Sequence, residues 1–363
     1  MRNLGLDIVR FFAVLLVLIR HINPNQISNP ILVILQRGGW VGVDLFFVLS
    51  GFLISSLFFY EYKRTGDVNI KRFLIRRAFK IYPAFWVLIF FSSFAWARAG
   101  NPPSFNTLIN ELLFIQNYRT GVWGYTWSLA VEEHFYIGFA LLIVVLRKYH
   151  SNKLFDAIPK CYMAVALTCL LWRYFKITSV EIYNYSQFAF RTHLRMDSLF
   201  FGVFLSYLVH FQGLKDRLEK IPGVILTILG VFLLFPAFVF ISETQRWIFI
   251  WGVSLFYLGS GFLVLGAMKL NSSKYLFLKF LGGIGTASYS IYLWHMPCNI
   301  WGLSLLRKVT QPSPAVEIGS YILGAITMGW IMNRLIEVPA LRLRDLLFTE
   351  LPKIKSDSMG QLS

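Results

Sequence analysis

The feature that most constrains this chain is a recurrence of apolar stretches, about 17 to 25 residues each, separated by short polar connections from one end to the other. A backbone that crosses hydrocarbon must satisfy its own hydrogen bonds. Stretches of that length therefore predict membrane-spanning helices rather than the alternating ten-residue strands of a barrel. The spans fall at 4–20, 39–59, 81–97, 127–146, 161–178, 197–212, 222–241, 247–267, 283–306 and 315–337. The expectation is all-α: a polytopic membrane helical bundle of about ten transmembrane helices.

Composition excludes the soluble alternative. With 363 residues, 56% of them hydrophobic and only 15% charged, the chain has more apolar surface than one or two soluble cores can hide. Residues 1–345 read as a single transmembrane domain and 346–363 as a polar tail. Cys161, Cys169 and Cys298 lie scattered in apolar segments, with neither redox nor zinc spacing, so no metal is expected. The apolar run beginning at Phe11 resembles a signal peptide, but Arg10 precedes it and no small-residue cleavage site follows, so it is read as a retained helix.

Orientation follows from the 35 Lys and Arg residues. Ten spans put both termini on one side. If that side is cytoplasmic, its segments hold about 22 of the cations against about 10 opposite, as the positive-inside rule requires. Lys63, Arg64, Lys71, Arg72, Arg76, Arg77 and Lys80 are then expected in one cytoplasmic loop. The net charge of +17 needs no nucleic acid partner, because loops facing an anionic leaflet are commonly basic and no soluble basic module is present. The lipid bilayer is the partner that composition implies.

Function has to come from polar residues that the bilayer should reject. Asp7, Arg10 and His21 share a face of the first span, with His21 about 16 Å along the axis from Arg10 and Asp7 spaced to pair with Arg10. Asp44, Glu132, Glu133, Arg195 and Asp197 collect with His21 near the extracytoplasmic ends of their spans, which suggests a polar cavity open on that face. On the other side, Arg76, Arg77 and Lys80 suit either a phosphorylated cytoplasmic ligand or lipid phosphates. His295, mid-span beside Tyr292 and Trp294, reads first as a helix-packing residue. Gly282, Gly283 and Gly285 follow no strand and are read as a close helix approach rather than a phosphate loop.

Six segments in order, "LDIVRFFAVLLVLIRH", "GVDLFFVLSGFLI", "RRAFKIYP", "TWSLAVEEHFY", "RMDSLFFG" and "SYSIYLWHMP", resemble the acyltransferase 3 family of integral membrane acyltransferases. The resemblance implies transfer of an acyl group, usually acetyl, from cytoplasmic acyl-CoA to a hydroxyl of an extracytoplasmic or lipid-linked glycan, in the cell membrane. Carried over by position, it implies catalytic roles for His21, Arg10, Glu132, Glu133 and Asp44. Arg76, Arg77 and Lys80, with Ser50 and Gly51, match donor-binding motifs. Trp127, Arg195, Asp197, Tyr289, Tyr292 and His295 match positions assigned to substrate. Lys80 stands where Arg is frequent in the family, and His134 where Gln is common. Some relatives carry an appended hydrolase-like domain that is not expected here.

The mechanism implied has His21 taking a proton from a sugar hydroxyl as that oxygen attacks the thioester, or itself carrying the acyl group. Glu133, Glu132 or Asp44 would orient the ring, and Arg10 or a backbone donor would steady the oxyanion. The competing class is a transporter or flippase of polyprenyl-linked sugars that uses the same polar residues without making a bond.

Overall fold

The computed structural model describes residues 3–149, 154–181, 183, 188–270 and 274–348. Their principal elements are α1 (Leu4–Arg20), α2 (Pro30–Gly38), α3 (Val41–Thr65), α4 (Ile70–Arg98), α5 (Phe105–Leu112), α6 (Trp127–Tyr149), α7 (Ile158–Thr178) and α8 (Met196–Phe211). There follow α9 (Gly223–Leu234), α10 (Val253–Met268), α11 (Leu276–Thr286), α12 (Ser288–Pro297), α13 (Leu303–Val309), α14 (Pro314–Met332) and α15 (Val338–Leu347). No strand occurs among the described residues. Among the described residues, five helical stretches are long and apolar enough to cross a bilayer: Val41–Thr65, Ile70–Arg98, Gly124–Tyr149, Ile248–Met268 and Pro314–Leu347. A sixth is formed if Leu276–Thr286 and Ser288–Val309, bent by 67°, count as one. The polar tail expected at 346–363 lies almost wholly outside the described residues.

Three spans differ from the sequence expectation. α4 begins at Ile70 instead of 81, so Lys71, Arg72, Arg76, Arg77 and Lys80 are not in a loop. They occupy the opening turns of a helix, because Lys, Arg, Leu and Ala are good helix formers and no Gly or Pro interrupts them before Pro83. The connection from α3 shrinks to a short turn in which Gly66 takes φ +75°. The stretch 283–306 is likewise broken, at Ala287, just past Gly282, Gly283 and Gly285, where helix propensity is low. There Thr286 Oγ1 donates to Gly283 O at 2.7 Å, which keeps a carbonyl satisfied at the bend. Finally, 222–241 is helical only to Leu234 and again over Pro236–Val239, Pro236 having no N–H to give.

The chain divides into two compact units. The first comprises Met1–Gly42, Lys71–Ser92 and Leu265–Ser363. Lipid tails are as apolar as leucine, so helices within it gain from close packing and polar ties rather than from hiding area. Its centre is α1, whose glycine contacts bring backbone onto backbone. A Cβ added at Gly5 would lie 1.9 Å from Ala267 O, and one at Gly285 only 1.8 Å from Asp7 O. Gly282 packs instead on the Leu4 side chain, while nothing crowds Gly283. The Asn3 side chain caps α1 by accepting from the Leu6 N–H (3.1 Å) and donates to Met268 O (3.0 Å). At the far end Tyr321 of α14 donates to Leu18 O (3.2 Å).

The second unit comprises Val43–Ile70 and Ser93–Val264. Here α3 and α8 cross at glycines: a Cβ on Gly51 would meet Leu199 O at 2.0 Å, and one on Gly202 would meet Val48 O at 2.2 Å. Aromatic pairs fill the space beside them, with Phe58 edge-on to Phe139 (5.5 Å) and Phe135 edge-on to Phe200 (5.5 Å).

Candidate active site

The residues singled out by sequence divide between the units. His21, Arg10, Arg76, Arg77, Lys80, Tyr289, Tyr292 and His295 belong to the first. Asp44, Ser50, Gly51, Trp127, Glu132, Glu133, Arg195 and Asp197 belong to the second.

In the first unit, His21 caps the C-terminal end of α1. Its Nδ1 lies 2.9 Å from Val17 O, one turn back. A carbonyl only accepts, so Nδ1 carries the hydrogen and the neutral ring keeps its lone pair on Nε2, the arrangement a base or nucleophile needs. The ring next to it is another imidazole. His295, fully buried on α12, lies with its centroid 4.8 Å from that of His21 and the two planes at 64°. His295 Nδ1 is fixed in the same manner, 2.5 Å from Tyr292 O, so its polar contact turns back onto its own helix while the ring packs against His21. Asn299 donates to His21 O (2.6 Å) and Gln36 to Ile22 O (2.6 Å), which fixes the chain where α1 ends.

A second cluster lies toward the other end of α1. Arg10 donates to Asp7 at 2.6 Å, the pair that helical spacing predicts. Eleven residues, roughly 16 Å of helix rise, separate Arg10 from His21. Arg10 and the imidazole therefore belong to different turns of the helix. The charge of Arg10 is felt at Lys80, as is that of Arg77. Lys80 pairs with Glu337, and Ser290 Oγ donates to the other oxygen of that carboxylate (2.8 Å). Tyr289 OH donates to Ile81 O (2.8 Å), tying α12 to α4 beside the cations.

In the second unit most of the expected residues have polar partners within the unit. Asp44 and Arg195 form a buried ion pair (2.6 Å), with the guanidinium 5.9 Å from the Phe47 ring and 5.7 Å from the Trp127 ring. Asp197 pairs with Arg173 (2.8 Å), and both are fully buried. Arg173 also donates to Leu194 O (2.9 Å) and Ser254 Oγ (3.1 Å). Glu132 accepts from Ser50 Oγ (3.1 Å) and Tyr136 OH (2.7 Å). Glu133 is buried on the same helix, and His134 Nδ1 meets Thr192 Oγ1 at 2.7 Å. Gly51 serves the α3–α8 crossing described above.

A family model described as an acyltransferase domain matches residues 3–334. The chain belongs to the acyltransferase 3 family. Among proteins of this kind, the chain is similar to "O-acetyltransferase OatA" of Staphylococcus aureus strain MRSA252, 30% identical over 97% of this chain and 59% of that protein. The same protein from strain NCTC 8325 / PS 47 is also 30% identical, with the same coverage. "Putative O-acetyltransferase SACOL0978" of strain COL is 28% identical over 80% of this chain and 50% of its own length. The chain thus spans about three fifths of the first relatives it matches. No solved structure matches it.

Arg173, Glu337 and Tyr136 carry partners that the sequence reading overlooks. Arg173 and Glu337 lie inside the expected spans 161–178 and 315–337, so the rule that picked out Asp7 and Arg10, an ionisable group within an apolar span, finds them too. Tyr136 has no such signal, because a tyrosine in an apolar helix is common.

Proposed function

We propose that this chain is a multi-pass membrane O-acyltransferase that moves an acetyl group from cytoplasmic acyl-CoA to a hydroxyl of an extracytoplasmic or lipid-linked glycan. The relatives' names support O-acetyl transfer, and the excess of cations in the segments assigned to the cytoplasm supports termini and donor on that side.

One observation carries the reading. A histidine whose tautomer is fixed with Nε2 as acceptor stands at one end of α1, and a cluster of Arg10, Arg77 and Lys80 stands at the other. The cations, with Arg76 on the same helix, grip the donor's phosphates, for which the guanidinium fork is suited. The thioester arm then runs along α1 toward His21. Nε2 takes the proton of the attacking hydroxyl as the new C–O bond forms, and gives it to the departing thiolate as the C–S bond breaks. Tyr289 and Tyr292 brace the helix that carries His295 against the ring.

The test uses the full chain in lipid nanodiscs with radiolabelled acetyl-CoA and chitotetraose as the acceptor. Acetylated oligosaccharide forms with the native protein, and His21→Ala lowers its rate at least 1,000-fold while the protein still melts cooperatively. Unchanged transfer by His21→Ala rejects the reading.

A further inference from the structure

The connection from α5 to α6 contains a carboxyl group that the acyl-transfer reading leaves unused. Glu111 is fully buried. One of its oxygens accepts from the Val122 N–H (2.7 Å), and the other lies 2.5 Å from Thr126 Oγ1. Thr126 Oγ1 is also 2.7 Å from Trp123 O. A hydroxyl has one hydrogen, so an ionised Glu111 would compete with the Trp123 carbonyl for it and leave one short oxygen–oxygen contact without a proton. If Glu111 is protonated, every contact is satisfied. The acid donates to Thr126, Thr126 donates to Trp123 O, and the carbonyl oxygen of the acid accepts from Val122.

The surroundings favour the same state. Burial pushes Glu111 up to about 7, and only its own hydrogen bonds oppose that rise. Arg119, the cation of this connection, is exposed and does not act on the carboxyl.

What the carboxyl holds is a strained piece of chain. Phe114, buried two residues past α5, takes φ 56°, a left-handed conformation that a bulky side chain adopts only when its surroundings enforce it. Its backbone hydrogen-bonds His134, which follows the acidic pair on α6. Asn110 donates to Thr120 O (3.0 Å) and Gln116 to Thr126 O (3.2 Å), but Glu111 is the titratable tie between α5 and the start of α6. A Cβ at Gly121 would lie 2.2 Å from the carboxyl, so the connection closes tightly around it.

We propose that Glu111 is carried as a neutral carboxylic acid and latches the α5–α6 connection, which opens when the proton is lost. The sign follows from linkage. The fold favours the protonated form and the unfolded chain releases its proton near 4.5, so the contribution is complete at acid pH and fades as pH rises through about 7.

Hydrogen–deuterium exchange on the full chain in nanodiscs, corrected for intrinsic rates, tests this between pH 5.5 and 9. Protection of residues 113–126 is expected to fall at least tenfold across that range in the native protein. Glu111→Gln supplies a neutral donor and acceptor of the same shape and should hold its protection to pH 9, while Glu111→Ala should lose it at every pH. Native protection that does not vary with pH overturns the proposal, and so does a Glu111→Gln protein that loses protection at acid pH as Glu111→Ala does.

Discussion

The two units treat buried charge in opposite ways. In the second unit the cations are sealed: Arg173 and Asp197 are each 0% exposed, and Arg195 and Asp44 are 1% and 0%. In two pairs of the first unit the carboxylate is hidden but the cation is not, with Arg10 30% and Lys80 33% exposed beside Asp7 and Glu337. A sealed pair is closed to solvent on every side. A cation that is held at one side and open at the other remains available to an incoming anion. The identical chemistry of Arg with Asp therefore builds a sealed pair in one place and a half-open one in the other.

The largest effect that separates these roles is expected at Arg173. Arg173→Met strands Asp197 in the interior without its counter-ion, which should cost about 3–5 kcal/mol and show as loss of the cooperative melt in detergent. Replacing both partners, as Arg173→Met with Asp197→Leu, should recover most of that, because no uncompensated charge is left. A single variant as stable as the native protein would break the contrast. Next comes the main-chain contact in the first unit. Gly285→Ala forces a methyl against Asp7 O, and overpacking of this kind costs typically about 1–3 kcal/mol, read as a lower melting temperature. The smallest stability change belongs to Lys80→Gln, about 1 kcal/mol, since the Gln amide can still donate to the hidden Glu337 carboxylate, which also keeps its bond from Ser290. Its KM for acetyl-CoA should instead rise about tenfold with kcat within a factor of two, a split that would sharpen the distinction between scaffold and docking charges. A variant that loses stability but keeps its KM would place Lys80 with the sealed pairs.

How much of this was legible in the sequence depended on distance along the chain. Asp7 and Arg10 are three residues apart, and helical spacing alone pairs them. Lys80 and Glu337 are 257 residues apart, and Arg195 and Asp44 151, so nothing local couples them. The helical character was legible because apolar length decides it. The opening of α4 was not, since a run of cations reads equally well as a loop, and neither was the bend at Ala287, where three nearby glycines look like ordinary packing residues until the chain turns. His21 stood out as the lone titratable group where its span ends. His295 stood out too, as a polar residue in mid-span, but its contact with His21 did not, because tertiary packing makes it across 274 positions of the chain.

Main-chain contact at Gly5 and Gly285 pins α1 along its N-terminal half, and Tyr321 and Asn299 pin it near its C-terminal end. A rod clamped at both ends cannot slide, so the separation of Arg10 from His21 is a fixed gauge of about 16 Å set by eleven helical residues. In the proposed reaction the helix measures its donor: a tethered arm of matching reach presents its thioester at the imidazole, and one cut short stops before it. Adding a full turn of helix between the two residues would recalibrate the instrument without altering any group that touches the reactants.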